Sequence, residues 1–171
     1  MKEIFYKDLK INPFTLIGDE WMLITAGNQD KYNTMTASWG QMGALWSHGG
    51  GSPVVTIYVR PQRYTKEFVD SNKYFTLTFF PKEYKKDLAY LGSHSGRNED
   101  KVLKTNLHPI FENDYTYFKE AKLVLICEKV YAQDILEENF INKDIVSEHY
   151  QKKDFHTMYI GLIKKVLINE N

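Results

Sequence analysis

Two arginines frame a short segment that could bind an anion. The segment, Arg60–Thr65, reads RPQRYT and is followed by a predicted helix over residues 65–72, with Thr65 as its N-cap. A helix start carries partial positive charge, so nearby cations favour an anion bound between them. Guanidinium groups, a hydroxyl and free backbone N–H groups together favour a phosphate. The alternative is two solvated arginines paired with Glu67 or Asp70.

A second segment could lie against a flat, polar-edged ring. Asn33–Gly40 offers three hydroxyls, an amide and a tryptophan, and it carries no charge. Its small residues, Ala37 and Gly40, would permit close approach of a ligand to the backbone. The alternative is a sheet edge whose threonines only reflect the preference of this residue type for strands.

A third segment, Gly92–Arg97, reads GSHSGR and predicts a loop before a helix over about 98–104. The first turn of that helix would carry Glu99 and Asp100, which favour a helix N-terminus even without a ligand. A loop that is merely capped is therefore the alternative to a loop that closes over a ligand. His94 lies in this loop, but no partner for general-base catalysis is evident beside it.

Several kinds of site are excluded by missing motifs. No GK[ST] loop, GxGxxG or GxSxG occurs, so Walker, Rossmann and α/β-hydrolase sites have no support. The five histidines lack metal-ligand spacing, and no metal site is expected. Cys127 is the only cysteine; it follows an apolar run and is predicted to be a buried small hydrophobe. A chain without disulfides suits the cytoplasm.

Charge and hydropathy exclude two further classes. The 171 residues include 22 Lys+Arg and 22 Asp+Glu, a balance that argues against a nucleic-acid groove. The longest stretch without an ionised side chain, Tyr32–Val59, is rich in glycine and polar residues. It holds no window of about 20 mainly apolar residues, so no membrane span is expected.

The elements that must position these segments are mostly strands. Period-two or β-branched runs predict strands at Trp21–Ala26, Val54–Val59, Tyr74–Phe80, Lys122–Tyr131 and Thr157–Ile168. Short helices are predicted over residues 65–72, 82–91 and 98–104, and Glu137–Gln151 is ambiguous. Many strands with few helices favour a closed or half-open antiparallel barrel.

In their order and spacing, these motifs resemble the flavin reductase-like, FMN-binding split-barrel family, which includes flavoredoxins. The resemblance rests on Asn33–Gly40, Val54–Val59, Arg60–Thr65, Gly92–Arg97 with Asp100 and Lys101, and His156–Gly161. It implies a mainly β fold: a six-stranded Greek-key split barrel with a few short peripheral helices, as one domain over residues 1–171. It also implies a homodimer with FMN bound near the interface.

The resemblance implies roles for individual residues. The first segment would contact the flavin through Asn33, Met35, Thr36, Ala37, Ser38 and Trp39. The phosphate end would be lined by Arg60, Arg63, Tyr64 and Thr65. A loop would close over the flavin with Ser93, Ser95, Gly96 and Arg97, and Lys101 would lie near the phosphate. The predicted catalytic residue is His156, at the flavin edge where a nicotinamide or another donor would stack.

The activity implied is NADH- or NADPH-dependent reduction of flavin or a small acceptor through bound FMN. The alternative is an FMN-binding electron carrier, similar to flavoredoxin, without steady-state NAD(P)H oxidation. A third hypothesis is a flavin-free barrel that binds a nucleotide or sugar. Unlike many family members, this chain has a glycine-rich insert at residues 47–52, which is expected to reshape the donor site.

Overall fold

The computed structural model describes residues 1–46 and 49–170. Within this part of the chain the strands are β1 (Lys2–Ile4), β2 (Met22–Gly27), β3 (Tyr32–Ala37), β4 (Gly40–Leu45), β5 (Ser52–Val59), β6 (Tyr74–Phe79), β7 (Pro109–Glu112), β8 (Tyr115–Phe118), β9 (Leu123–Asp134) and β10 (Thr157–Ile168). The helices are α1 (Pro13–Thr15), α2 (Tyr64–Ser71), α3 (Lys85–Ser93) and α4 (Asp144–His149). Single 3₁₀ turns lie at Tyr6–Asp8, Lys82–Tyr84, Lys101–Lys104 and Glu137–Asn139, and a π-helical turn lies at Leu16–Glu20.

Eight strands form one antiparallel sheet. Its order is β3-β2-β6-β9-β10-β5-β4, and β1 adds to β10. The two end strands, β3 and β4, are consecutive in the chain, with only Ser38 and Trp39 between them. The strands β7 and β8 form a separate hairpin. The main sheet therefore curls so that its two open edges meet at one short connection.

Alternation along the strands explains why the sheet encloses a core. On β2, Met22, Ile24 and Ala26 are buried inside the curled sheet. On β9, Leu125 and Cys127 point into the same core. One inner face from each strand thus supplies a continuous apolar interior. The prediction that Cys127 is buried is confirmed, and burial raises the pKa of its thiol.

A second core covers the outer face of the same strands. Leu23 on β2 and Val124 on β9 point outwards and pack against Leu88 and Leu91 of α3. The β7–β8 hairpin adds Phe118 to this cluster. Strands that are buried on both faces have near-continuous apolar sequences. The helix α3 is held on the barrel in this way, and its C-terminal end borders the site described below.

The sequence-based expectation of a mainly β protein with a few short helices is confirmed, and the five predicted strands appear as β2, β5, β6, β9 and β10, with bounds that differ by at most three residues. The count of six is too low, because the described chain also forms β1, β3, β4 and the β7–β8 hairpin. The segment Asn33–Gly40 is not one continuous strand. The chain turns at Ser38–Trp39, so the segment belongs to both end strands of the main sheet, β3 and β4.

The helix predictions need two corrections. Helix α2 begins at Tyr64 with Arg63 at the N-cap, so Thr65 is not the cap; it is the second helical residue and is buried. The helix expected over 98–104 is only a 3₁₀ turn at Lys101–Lys104. The ambiguous region Glu137–Gln151 contains a 3₁₀ turn and α4. Among the described residues, none forms a helix long and apolar enough to cross a membrane.

Candidate functional site

Two adjoining cavities lie where β3, β5, α2 and α3 meet. The larger, which we call the cationic cavity, has a volume of about 520 Å³ and is bordered by the start of α2 and the end of α3. The smaller, the strand cavity, has a volume of about 160 Å³ and runs along Met35–Trp39. Both are lined by Met35, Arg60 and Arg63, so they are parts of one continuous recess.

The structure brings together nearly all residues singled out from the sequence. The cationic cavity is lined by Asn33, Met35, Arg60, Arg63, Tyr64, Thr65, Ser93, Ser95, Gly96 and Lys101. The strand cavity adds Thr36, Ala37, Ser38, Trp39 and His156. These residues come from segments up to about 120 positions apart in the sequence, yet they face one recess.

Arg97 is the exception. Its guanidinium lies 4.5 Å from the centre of the Tyr64 ring and pairs with Glu67. It lines a neighbouring surface cleft with Lys101 rather than either cavity. The side chain is therefore engaged outside the recess, and the expectation that Arg97 faces the ligand is not supported by its position.

The start of α2 faces the cationic cavity without a side-chain cap. Arg63 occupies the N-cap position, and no side chain accepts a hydrogen bond from the first turn there. Instead, the Arg63 guanidinium donates to the Gly92 carbonyl over 2.7 Å. Burial and the nearby charge of Arg60 lower the pKa of Arg63. This corner therefore combines helix N–H groups with a positive charge that has no acidic partner among its hydrogen bonds.

Lys101 adds a second cation to this corner. It is 4% exposed, and its Nζ donates to the carbonyls of Leu91 over 2.6 Å and His94 over 3.0 Å. Burial and the repulsion of Arg63 lower its pKa to about 8, although Glu99 acts in the opposite direction. An ammonium has three N–H donors, and two are used here. Burial and the charge of Arg63 thus make the protonated form of Lys101 less stable than that of a lysine in water.

Arg60 is positioned differently from the expectation. Its guanidinium forms an ion pair with Asp154 at 2.7 Å and donates to the His149 carbonyl over 2.9 Å. Gln62 also donates to the Asp154 carboxylate over 2.8 Å. The charge of Arg60 is largely neutralised by this pair. The alternative pairing of Arg60 and Arg63 with Glu67 or Asp70 is wrong, because those carboxylates bind other cations.

The partner of Arg60 belongs to a wall that sequence reasoning missed. The segment between β9 and β10 contributes Glu148, His149, Gln151, Lys152 and Asp154 to the cationic cavity. It was assigned no function from its charged, irregular sequence. Tyr150 stacks on Phe155 within this segment, with ring centres 4.7 Å apart. The two aromatic residues were the only sequence feature that could have indicated a packed wall, and they do not form a known motif.

Asn33 and Thr36 tie β3 to the surrounding helices. The Thr36 hydroxyl donates to the Leu88 carbonyl of α3, so its proton is not free for a ligand. The Asn33 side chain is buried and lies 3.4 Å from the Thr65 hydroxyl. A Cβ at Gly96 would come within 2.6 Å of Asn33 Oδ1, so only glycine allows this approach. These contacts fix the shape of the recess.

His156 lines the strand cavity as a buried, neutral ring. It is 7% exposed, so it is not a surface residue although it directly precedes β10. Its Nδ1 lies 2.8 Å from the Tyr150 hydroxyl, and its ring centre lies 5.1 Å from that of Trp39. Burial, together with the charge of Arg60, lowers its pKa to about 4. At neutral pH it therefore offers hydrogen bonding and stacking rather than charge.

The recess can bind an anion at one end and a flat neutral group at the other. The anion-binding end is formed by Arg63, Lys101 and the start of α2, which has no side-chain cap. The strand cavity supplies small side chains and one indole. Within residues 1–46 and 49–170, no group of three or more His, Cys, Asp or Glu side chains could hold a metal ion.

Comparison with known proteins agrees with this geometry. A family model described as the flavin reductase like domain matches residues 16–171. The chain belongs to this family. A comparison with curated protein sequences gave no match.

Solved structures of this flavin reductase-like fold superpose on most of the chain. Flavoredoxin of Desulfovibrio vulgaris (Miyazaki F) is 23% identical, with a TM-score of 0.64 over 88% of this chain and 69% of its own. An FMN-binding protein from Thermus thermophilus with bound p-hydroxybenzaldehyde is 19% identical, with a TM-score of 0.65 over 88% and 71%. The styrene monooxygenase flavin reductase of Pseudomonas putida S12 is 12% identical, with a TM-score of 0.61 over 88% and 80%. The split-barrel class is thereby confirmed.

The glycine-rich insert of this flavin reductase-like chain lies in the β4–β5 hairpin. Ser47 and His48 fall outside the described residues. The two strands pair from Gly40–Ile57 to Leu45–Ser52, five residue steps along the ladder. At about 3.4 Å per residue, the hairpin end is about 17 Å from Gly40, which adjoins the recess. Within one chain, the described part of the insert does not line either cavity, and its effect on the donor site stays a prediction.

Proposed function

We propose that the protein is an FMN-binding oxidoreductase that uses NADH or NADPH to reduce flavin or another small acceptor. The observation that carries this proposal is a corner with two cationic side chains, the half-buried Arg63 and the buried Lys101, next to an uncharged strip along Met35–Trp39. The family membership supports a flavin-related role, and the recess supports FMN because a cationic corner of this kind could bind its phosphate.

The residues present fit the group. Arg60 and Asp154 neutralise one another, so the positive charge of the corner comes from Arg63 and Lys101. Both have a lowered pKa, so each side chain is still protonated at neutral pH but its charge is less stable than in water. The phosphate monoester of FMN carries close to two negative charges at neutral pH and would relieve this repulsion.

We assign the holding of FMN to three groups of residues. Arg63, Lys101 and the backbone N–H groups at the start of α2 would bind the phosphate. Ser95 is suited to bind the phosphate or its neighbouring chain, because its side-chain oxygen accepts from the Arg97 N–H and its own hydroxyl proton remains for a ligand. The strip Met35–Trp39 would lie against the ring, and Arg60 would act mainly by holding the wall around Asp154.

Bound FMN would accept a hydride from NAD(P)H and pass the electrons to an acceptor. The protein therefore needs no nucleophile or strong base of its own. His156 would contribute as a neutral ring that fixes Trp39 at the cavity wall and orients the Tyr150 hydroxyl. The buried walls would exclude water from the ring, which strengthens each hydrogen bond to it.

A visible absorption spectrum tests the proposal directly. Protein purified without added cofactor, or after incubation with micromolar FMN, is expected to show the two-band flavin spectrum. Anaerobic addition of NADH, and separately NADPH, is expected to bleach it and to identify the donor. A flavin spectrum that neither nucleotide bleaches would favour the electron-carrier function. Protein that binds no FMN would refute both.

A homodimer is part of the proposal. Leu45 and Trp46 at the β4–β5 hairpin expose 39% and 62% of their surfaces, and Phe5, which is 57% exposed, lies in a groove with Pro53. Exposed apolar side chains in one region are typical of interfaces. Sedimentation velocity is expected to show a dimer, and Leu45→Glu is expected to weaken it. A wild-type monomer at micromolar concentration would exclude this assembly.

A further inference from the structure

A third cavity lies on the other side of Trp39, and its chemistry is the opposite of the cationic cavity. This apolar pocket has a volume of about 630 Å³ and is formed by the segment Pro13–Gly18, the start of β4 and side chains that include Tyr58, Ile135 and Tyr150. Among the described residues that line it there is no Asp, Glu, Lys, Arg or His. The cationic cavity, by contrast, is lined by six ionisable acidic and basic side chains besides its histidines. Pockets of this volume and character are typical of sites for small molecules.

The apolar pocket is continuous with the strand cavity. Ser38, Trp39 and Tyr58 line both of them. The Trp39 indole is 42% exposed and is held by ring contacts to His156 and His149, with centres 5.1 and 5.6 Å away. A ligand in the apolar pocket would therefore lie beside the ring that the strand cavity is proposed to hold.

Two polar groups at the pocket wall could orient such a ligand. The Tyr58 hydroxyl donates to Gln41 Oε1 over 3.1 Å, which leaves the Gln41 amide N–H groups to donate elsewhere. Tyr150 lines the pocket, and its hydroxyl lies 2.8 Å from His156 Nδ1. An amide donor in an otherwise apolar wall is suited to a carbonyl oxygen on a ring.

We propose that the apolar pocket binds the electron acceptor, and that this acceptor is an uncharged planar aromatic carbonyl compound such as a quinone. The inference rests on the proposed function, because the electrons come from the NAD(P)H of that reaction. A quinone would take up a hydride equivalent, which is two electrons and one proton, and a second proton from water. It would leave as the hydroquinone, and NAD(P)H would leave as NAD(P)⁺.

The uncharged wall argues against an anionic occupant. Transfer of an anionic group into a pocket without a cation or several donors is strongly unfavourable. A pyridine nucleotide carries a pyrophosphate, and the cations of this region line the cationic cavity instead. A neutral ring, by contrast, would replace water against Phe14, Ile17 and Met42 at no electrostatic cost.

A glycine at the pocket wall allows the pocket to be filled. A Cβ at Gly18 would meet no atom within 4 Å, and Gly18 has no positive φ, so a side chain there would extend into open space. Gly43 on β4 meets the same two conditions but does not line the pocket. The pair Gly18→Leu and Gly43→Leu therefore adds the same side chain at a residue that lines the pocket and at one that does not.

The experiment is calorimetric titration with two probes of similar shape. Menadione is an uncharged naphthoquinone, and 1,4-naphthoquinone-2-sulfonate carries a negative charge. Both are titrated, without reductant, into FMN-loaded and FMN-free protein, and FMN affinity is measured separately. Cys127 is fully buried, so addition of the quinone to the thiol is not expected to interfere.

Menadione is expected to bind the wild type about tenfold or more tightly than the sulfonate, because no Lys or Arg side chain lines the wall to offset the cost of burying the anion. Gly18→Leu is expected to weaken menadione about tenfold or more, since the added side chain would occupy the ligand's apolar volume. Gly43→Leu is expected to match the wild type. Ile135→Lys, which places a cation in the wall, is expected to reduce the preference for menadione.

Equal affinity for the two probes, or menadione binding that neither Gly18→Leu nor Ile135→Lys changes, would overturn the inference. So would a pocket that binds neither probe; if Gly18→Leu then also dissociates a dimer, a second copy of the chain is the occupant. Normal FMN binding with any of these results would leave the proposed function intact. If the wild-type protein does not bind FMN, the proposed function is refuted instead.

Discussion

Two lysines complete the C-termini of two helices in the same way, one inside the recess and one outside it. Lys101 donates to the carbonyls of Leu91 and His94 at the end of α3. Lys129 donates to the carbonyls of Val69 and Asp70 at the end of α2. Burial is the largest cause that lowers the pKa of each amine.

Their surroundings differ in the charge that faces them. Asp70 favours the protonated form of Lys129 more strongly than the charge of Lys66 opposes it, and Asp70 is itself bound by Lys66 and by the Tyr159 hydroxyl. For Lys101 the order is reversed, because the repulsion of Arg63 exceeds the attraction of Glu99. The nearest charge effect on Lys129 is therefore favourable and that on Lys101 is unfavourable. On the proposed function, a bound phosphate would supply the attraction that Lys101 lacks.

The largest expected effect comes from removing Lys101, and removing Lys129 is its matched control. Lys101→Met is expected to lower FMN affinity about 10- to 150-fold, the equivalent of about 1.5–3 kcal/mol for a lost charged hydrogen bond. Lys129→Met is expected to leave FMN affinity within about threefold, because its partners lie outside the recess. Both variants should melt at lower temperature, since two carbonyls lose their donor. Calorimetric FMN titration with thermal denaturation measures both, and equal losses of FMN affinity would remove the distinction between the lysines.

Acid titration of His156 extends the comparison to a second buried base. Its folded pKa of about 4 lies below its ordinary value of 6.5, so the unfolded chain binds more protons between these values. The stabilising contribution is present above pH 6.5 and is lost as the pH falls towards 4, by about 1.5 kcal/mol between pH 6.5 and 5.

Urea denaturation at pH 6.5 and 5 checks this expectation with His156→Gln, which should reduce the acid sensitivity. His108→Gln, at an exposed position, is the control and should retain it. The same acid sensitivity in the wild type and in His156→Gln would mean that another group is responsible.

The pH dependence of FMN affinity should reveal Lys101 directly. The amine is protonated below pH of about 8 in the free protein, and a bound phosphate favours that form. Affinity is therefore expected to fall as the pH rises above 8, by at most about tenfold per pH unit. FMN titrations at pH 7 and 9 measure it. In Lys101→Met this fall should disappear, whereas in Lys129→Met it should persist; a fall that survives in Lys101→Met would assign it elsewhere.

The same shift makes a prediction for the protein without FMN. The unfolded chain binds more protons than the folded chain between pH 8 and the ordinary lysine pKa of 10.5. This group therefore makes the free protein more stable as the pH rises through that interval. Denaturation at pH 7.5 and 9.5 compares the wild type with Lys101→Met, whose stability should gain less from the rise. An equal gain in both proteins would show that folding does not lower the pKa of Lys101.

The smallest effect is expected at Arg97. Its guanidinium pairs with Glu67 at the surface and stacks on Tyr64, so Arg97→Ala should change FMN affinity less than about threefold. Arg63→Ala is the contrasting variant and should weaken FMN by an amount similar to Lys101→Met. Calorimetric titration of both variants is sufficient. A large loss in Arg97→Ala would mean that this side chain turns towards the ligand on binding.

Local sequence patterns predicted the barrel strands well. The β-branched run in β5 and the alternation of threonine with aromatic or aliphatic residues in β6 predict strands because these residue types favour extended backbone, although β6 is buried on both faces. The edge strands β1 and β4 were missed, because their exposed, mixed sequences carry no such alternation. The 3₁₀ turn at Lys101–Lys104 is too short to produce a helical period.

By itself, the sequence determined the family, the mainly β architecture and the identities of the residues around the recess. These properties depend on local periodicity and on the order of short motifs, and both can be recognised in the sequence alone. Only the tertiary structure decided which cations form ion pairs and which, among the described residues, donate only to backbone carbonyls. Asp154 reaches Arg60 from 94 positions away, and Glu67 reaches Arg97 from 30 positions away. Ion pairing depends on distances of a few ångströms between side chains, and no sequence spacing specifies them, so the tertiary fold left Arg63 and Lys101 to face the cavity.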